Sequence, residues 1–145
     1  LLDFQQEETM TPQTITHVQT TWKAVDAIAP QAAALFYSNL FEADPQLRTL
    51  FKGDMQAQGQ KLMQMIGAAV GKLTDLPTLV PILENLGKRH GGYGVQDAHY
   101  VTVGGALLKT LEQGLGPAFT PEVKQAWTTV YETVAAVMMK ASKAA

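Results

Sequence analysis

A histidine stands where an apolar helix stripe would take its fourth hydrophobic residue. In the segment 79–100, LVPILENLGKRHGGYGVQDAHY, Leu79, Leu83, Leu86 and His90 follow one another at steps of four, three and four. That spacing puts all four on one face of an α-helix. Gly91 and Gly92 come next, and they predict that the helix stops there. A neutral imidazole in such a place is satisfied by a hydrogen bond or by a metal, and the metal either has further protein ligands or arrives inside a cofactor. On this stretch alone a core histidine and a metal ligand are both open.

The remaining residues narrow the chemistry. There is no G-x-S-x-G, no H-E-x-x-H and no phosphate loop ending in Gly-Lys-Ser/Thr, which removes the common hydrolase, zinc-protease and nucleotide motifs. Cysteine is absent, so disulfides, thiolate metal sites, thiol catalysis and a covalent c-type haem link are excluded. His17 on the first helix and His99 beside Tyr100 read as surface or structural residues. Without His, Asp and Glu clustered at ligand spacing, a bare metal ion has no cage. A metal carried by a cofactor needs only one protein ligand, and His90 on its apolar face is able to supply that to haem iron. No catalytic side chain is assigned.

Composition sets the class. At 145 residues, 46% apolar and 17% charged, the chain is long enough for one domain with a real core and too apolar to be disordered. Eleven basic against thirteen acidic residues give a net charge of −2 without a Lys/Arg run, so neither nucleic acid nor an acidic membrane is expected as partner. No apolar run approaches the length of a membrane span, and LLDFQQEETM lacks a basic stretch followed by an apolar one. A soluble, cytoplasmic protein is expected.

The elements that must position His90 read as helices throughout. Residues 1–10 show no period and are expected to form a flexible extension, with a single domain over 11–145. Thr11 and Pro12 begin a helix carrying Ile15, Val18, Trp22 and Val25. Pro30 interrupts it, and a second helix runs from about Gln31 to Phe41. Asp44 and Pro45 open a short third helix to Phe51, and 52–57 is expected as a loop or frayed turn. Leu62, Met65, Ile66, Ala69, Val70 and Leu73 give the clearest helical period. The His90 helix follows, then one capped by Asp97 that carries Tyr100 to Leu115. Thr120 and Pro121 start the last, with Val123, Trp127, Val130, Tyr131, Val134 and Met138 inward. The fold class is all-α, with about seven helices.

Five segments carry a resemblance to a known family. LFYSNLF (35–41), PQLRTLF (45–51), QGQKLMQMIG (58–67), LGKRHGGYGVQDAHY (86–100) and AWTTVY (126–131), in this order, make the chain resemble a bacterial single-domain globin, similar to the haemoglobin domain of flavohaemoglobins. The resemblance spans about Thr11 to Met139. It implies the globin fold around a haem b pocket. His90 matches the proximal histidine on iron, and Phe51 the phenylalanine packed on the porphyrin. Tyr37 and Gln58 match the distal polar residues, and Leu62 the apolar residue one turn beyond Gln58. Lys61 matches a residue able to reach a haem propionate, and Val95 one at the proximal haem edge. Tyr100 matches the tyrosine that flavohaemoglobins pair with the proximal histidine.

Two departures from that family stand out. The glutamate that flavohaemoglobins carry late in the final helix is replaced here by the run Met138-Met139-Lys140-Ala141-Ser142, so no carboxylate is expected on the proximal imidazole. The chain also leaves no room after Ala145 for a flavin and nicotinamide domain, and any cycle needing electrons is expected to use an external reductase. The resemblance implies reversible binding of oxygen, nitric oxide or another diatomic ligand at a pentacoordinate iron, with high oxygen affinity from Tyr37 and Gln58. Nitric oxide dioxygenation, a gas or redox sensor, and a haem-free helical interaction module are the competing functions. A monomer or weak homodimer is expected.

Overall fold

A computed structural model describes residues 10–143. Among the described residues six α-helices and two 3₁₀ turns are formed, and no strand appears. The expected extension falls almost wholly on residues 1–9, outside the described part; Met10 packs against the core.

Helix α1 (Pro12–Asp26) starts where Thr11 Oγ1 accepts the Thr14 N–H and Pro12 takes a first-turn position that needs no donor. Its buried residues Val18, Trp22 and Val25 keep the four-then-three spacing of a core stripe. α2 (Ala29–Ala43) begins two residues before the expected start, because Pro30 falls in its first turn, where proline is tolerated, instead of in an interior. Asp44 caps a 3₁₀ turn, Pro45–Leu50, through the Gln46 N–H. The expected short third helix is therefore present in its tighter form. α3 (Met55–Gly71) starts earlier than expected: Asp54 Oδ1 accepts the Gln56 N–H at 2.9 Å, so the segment 52–57 is helical from Met55 and Gln58 lies in the first turn.

Helix α4 (Leu76–Gly92) ends at the expected pair of glycines. It runs through Gly91 and Gly92, and the chain reverses at Gly94, whose φ is +87°. Val95 N–H then bonds the His90 carbonyl and Gly94 N–H the Gly91 carbonyl, the paired bonds of a Schellman end. α5 (Asp97–Leu115) is capped by Gln96 instead of Asp97. A 3₁₀ turn, Gly116–Ala118, and the 23-residue α6 (Pro121–Lys143) complete the described chain.

The packing leaves two consecutive pairs apart, α3–α4 and α4–α5. α6 packs along α4 and α1, and α2 packs on α5 and α3, whereas α3 and α4 scarcely touch each other. Trp22 and Trp127, with ring centroids 6.2 Å apart, join α1 to α6, and the Trp127 indole N–H donates to Thr21 Oγ1 at 2.9 Å. Buried Asn39 donates to Thr110 Oγ1 and Gln113 Oε1, fixing α2 on α5. The apolar interior accordingly divides into a large cluster to which all six helices contribute and a smaller one around Phe36, Tyr37, Leu40 and Phe41. Leu107 packs on both. No described helix is long and apolar enough to cross a membrane.

Candidate functional site

His90 occupies the last turn of α4, half-buried, with Nδ1 2.8 Å from the Leu86 carbonyl oxygen. A carbonyl only accepts, so Nδ1 must carry the proton and Nε2 keeps the lone pair. No hydrogen bond to Nε2 is formed among the described residues. The stripe beside it is set by Gly87 and Gly91. A Cβ on Gly87 would collide with the Met138 carbonyl and one on Gly91 would sit 3.1 Å from Ser142 Cβ, so α4 lies backbone-close to α6 and its azimuth, hence that of His90, is fixed. Met138 and Ser142 of α6 are the residues that meet α4 at these glycines.

Tyr100 is buried on α5, and its hydroxyl has no partner among the described residues. Leaving such a group unpaired costs about 1–3 kcal/mol. Burial raises its pKa, with the Asp97 carboxylate adding to the rise. Val95 is half-buried against the same cluster, brought back toward His90 by the Schellman end. His99 serves the backbone, since its Nδ1 accepts the Gln96 N–H at 2.9 Å at the start of α5.

Tyr37 sits on the interior face of α2 in an aromatic cage. Its ring is 5.3 Å from Phe36, 5.9 Å from Phe41 and 5.4 Å from Phe51 by centroid, and only 8% of the residue is exposed. Its hydroxyl donates to the Gln58 carbonyl over a long 3.4 Å. Burial raises the phenol's pKa, keeping it a neutral donor. Leu62 and Phe51 are half-buried against this cluster, and Gln58 is half-buried in the first turn of α3. Lys61 is exposed and forms no ion pair among the described residues.

Of the residues singled out in the sequence, Tyr37, Phe51 and Leu62 meet in one cluster, and Val95 and Tyr100 in the other. Gln58 joins the first through its backbone, while Lys61 is not drawn in. Three residues that matter to the packing were not singled out in the sequence. Leu107 bridges the clusters and Val103 packs on the smaller one; both stood in the α5 stripe, but nothing in the period separates an ordinary core residue from one shared between clusters. Gly87 was missed too, although its step of four to Gly91 is a signal of close helix contact.

The arrangement suits a flat, largely apolar group. Leu62, Ile66, Leu86, Val95, Val103 and Leu107 are half-buried apolar residues packed on the two clusters, His90 has no hydrogen bond at Nε2 among the described residues, and there is one orphaned buried hydroxyl. No group of three or more His, Cys, Asp or Glu that would cage a bare ion exists among the described residues. Such a site fits a metal that arrives already chelated.

The molecule is thus an all-helical protein carrying a half-buried imidazole on an apolar helix stripe. It belongs to the globin family: the Globin family model matches residues 34–138. Neuroglobin from Danio rerio is 34% identical over 137 residues, covering 85% of this chain and 86% of that protein. Neuroglobin from Dissostichus mawsoni is 35% identical over 135 residues, covering 83% and 85%. Among solved structures, a flavohemoglobin from Malassezia yamatoensis with bound FAD and heme superposes with a TM-score of 0.78 at 22% identity. It covers 93% of this chain, and this chain spans 37% of its length. The expected globin fold is confirmed. At 22% identity the likeness to the flavohemoglobin is one of fold, whereas the two neuroglobins are also similar in sequence.

Proposed function

We propose that this globin holds haem b through His90 Nε2 and reversibly binds oxygen, nitric oxide or another diatomic ligand on the side of Tyr37 and Gln58. When bound, the haem supplies an iron centre with one open coordination position. The chain supplies the rest. Leu86 holds the imidazole tautomer, Phe51, Leu62, Val95 and Leu107 provide apolar contact, and Tyr37 provides a neutral donor that offers no acidic proton. A hydrogen bond to a partly charged acceptor contributes roughly 1.5–3 kcal/mol, which corresponds to about one to two decades in ligand release. High oxygen affinity follows, with electrons for any redox cycle coming from an external reductase.

The observation that supports this reading best is the His90 Nδ1 contact with the Leu86 carbonyl, which accounts for Nδ1 and leaves Nε2 available to a metal. The absorption spectrum of the protein purified with haem tests it. His90→Ala should lose stable haem or regain it only with added imidazole, while His17→Ala and His99→Ala keep the parent spectrum. Normal haem retention in the His90 variant would overturn the assignment.

A further inference from the structure

Two helices end together beside His90. Gly87 abuts Met138 and Gly91 abuts Ser142, so α4 and α6 run in the same direction where they touch and their last turns lie side by side. The start of α5 is tied to the same end by an ion pair, with Asp97 Oδ2 2.6 Å from Lys143 Nζ. Arg89 stands in the last turn of α4 with Lys88 just before it, and Lys140 and Lys143 stand in the last turn of α6. Over residues 85–101 and 133–143 these four cations are opposed by one carboxylate, Asp97. All four are exposed, and Lys88, Arg89 and Lys140 form no ion pair among the described residues. This end is therefore positive on a chain whose net charge is −2.

Cations in a last turn offset the partial negative charge of a helix end, which accounts for part of that charge. It does not account for the apolar surface among them. Tyr93, in the turn after α4, is 70% exposed, and Val101, one turn along α5 from Asp97, is 78% exposed. Among the described residues no other large apolar side chain is more than half exposed. An exposed aromatic anchor with cations around it suits a protein partner of opposite charge. An anionic membrane is the poorer occupant, because three unpaired cations fall short of the roughly four to eight that such a surface calls for. The location then says what the partner does: the face is built on the helix turn that carries His90, so a molecule seated on it lies next to the proposed iron ligand.

We propose that the joint end of α4 and α6 is the docking face for an acidic protein that donates single electrons, with Tyr93 and Val101 as apolar anchors and Lys88, Arg89 and Lys140 as steering charges. The proposal rests on the haem reading above. The donor gives up one electron and ferric haem iron takes it; no bond is made or broken.

A plant-type [2Fe–2S] ferredoxin with a strongly acidic surface serves as the probe, and the haem-loaded protein is the target. Stopped-flow reduction of the ferric protein by reduced ferredoxin should slow steeply as salt is added. Lys88→Glu combined with Lys140→Glu should slow it about tenfold or more at low ionic strength. Lys109→Glu combined with Lys124→Glu makes the same charge change at exposed positions elsewhere on α5 and α6 and should slow it by less than about twofold. Binding is read separately by titrating oxidised ferredoxin into the carbon monoxide complex of the nitrogen-15-labelled protein. Amide signals of residues 88–101 and 140–143 should shift, and Tyr93→Ser, which removes an exposed ring without changing charge, should weaken the shifts. Equal slowing by the two pairs of charge reversals, shifts confined to other parts of the chain, or no reduction by ferredoxin of a protein that dithionite reduces would each overturn the docking face. So would attachment to phosphatidylserine vesicles that Lys88→Glu with Lys140→Glu abolishes, since the face would then belong to a membrane. Any of these results with normal haem uptake leaves the functional reading standing, whereas a protein that takes up no haem would overturn that reading and the docking face with it.

Discussion

His90 Nδ1 and the Leu86 carbonyl oxygen lie 2.8 Å apart, one helical turn from each other on the same helix. The imidazole is therefore oriented by its own helix, through a neutral acceptor that cannot take the proton. What other elements contribute is the placing of that helix. Gly87 and Gly91 let α4 approach Met138 and Ser142 of α6, and Gly94 turns the chain so that Val95 caps the His90 carbonyl. The ring's chemistry is local and its position is tertiary.

The two polar residues proposed for the distal side should contribute unequally. Tyr37 is caged by three aromatic rings and keeps its proton, whereas Gln58 is half-buried in a first helical turn and its side chain forms no hydrogen bond among the described residues. Tyr37→Phe should speed oxygen release by about one to two decades, and Gln58→Leu by less. Stopped-flow dissociation rates decide between them, and a larger effect at Gln58 would reverse the ranking.

The close approach of α4 and α6 makes Gly87 a stability determinant. Gly87→Ala places a methyl group against the Met138 backbone, which has no flexible end to move aside, so a loss of about 1–3 kcal/mol or more is expected. Gly92→Ala is the internal control. It meets nothing within 4 Å and should be neutral or gain about 0.5–1 kcal/mol by removing backbone freedom. Urea unfolding of both variants checks the contrast, and equal stabilities would mean that the helices do not touch where the structure places them.

Burial also predicts how stability responds to alkali. The phenols of Tyr37, Tyr100 and Tyr131 all have raised pKa values from desolvation, Tyr100 with help from Asp97 and Tyr131 with help from Tyr100. Tyr131, whose hydroxyl donates to the Tyr100 carbonyl, is pushed furthest. An unfolded tyrosine releases its proton near pH 10, so above that pH the unfolded state binds fewer protons than the folded one and stability must fall. It is fully present below about pH 10 and is lost as pH rises through the folded values. Tyr131→Phe should flatten this alkaline limb in denaturant melts taken from neutral pH upward, and an unchanged slope would show that the phenol is not buried.

The same glycines show what the sequence could and could not reveal. Helix existence was legible because Leu79, Leu83 and Leu86, or Val18, Trp22 and Val25, repeat at a period that only one element satisfies. The end of α4 was legible from Gly91 and Gly92, its last two residues, but their separate roles were not. Glycine is used for two purposes, close packing at Gly87 and Gly91 and a left-handed turn at Gly94, and a single sequence does not say which is which. Pro30 did mislead, since a helix breaker and a first-turn residue are the same amino acid. The site was partly legible for a different reason. His90 interrupts an apolar stripe and so declares itself. The orphaned Tyr100 hydroxyl and the double role of Leu107 are properties of packing between helices, and no local pattern records them.

The last expectation follows from the acceptor on His90. A carboxylate bonded to a ligating imidazole gives it imidazolate character and pushes electron density toward the metal, favouring cleavage of an O–O bond. Here Nδ1 donates to a backbone carbonyl, and the part of α6 lying against α4 presents Met138 and Ser142. Ser142 Oγ is itself engaged with the Met139 carbonyl at 2.7 Å, and Glu132 is exposed. The ferrous haem-loaded protein should therefore show a lower iron–histidine stretching frequency than a globin domain with an acid on its proximal histidine, and weak peroxidase turnover. Consumption of nitric oxide by the oxygenated protein should be much less affected, since it depends on oxygen being held and not on a strong proximal push. Resonance Raman spectroscopy of the ferrous state reads the frequency directly. A high value would mean that an acid such as Glu132 displaces Leu86 from Nδ1 when haem is bound, and Glu132→Gln should then bring the frequency down.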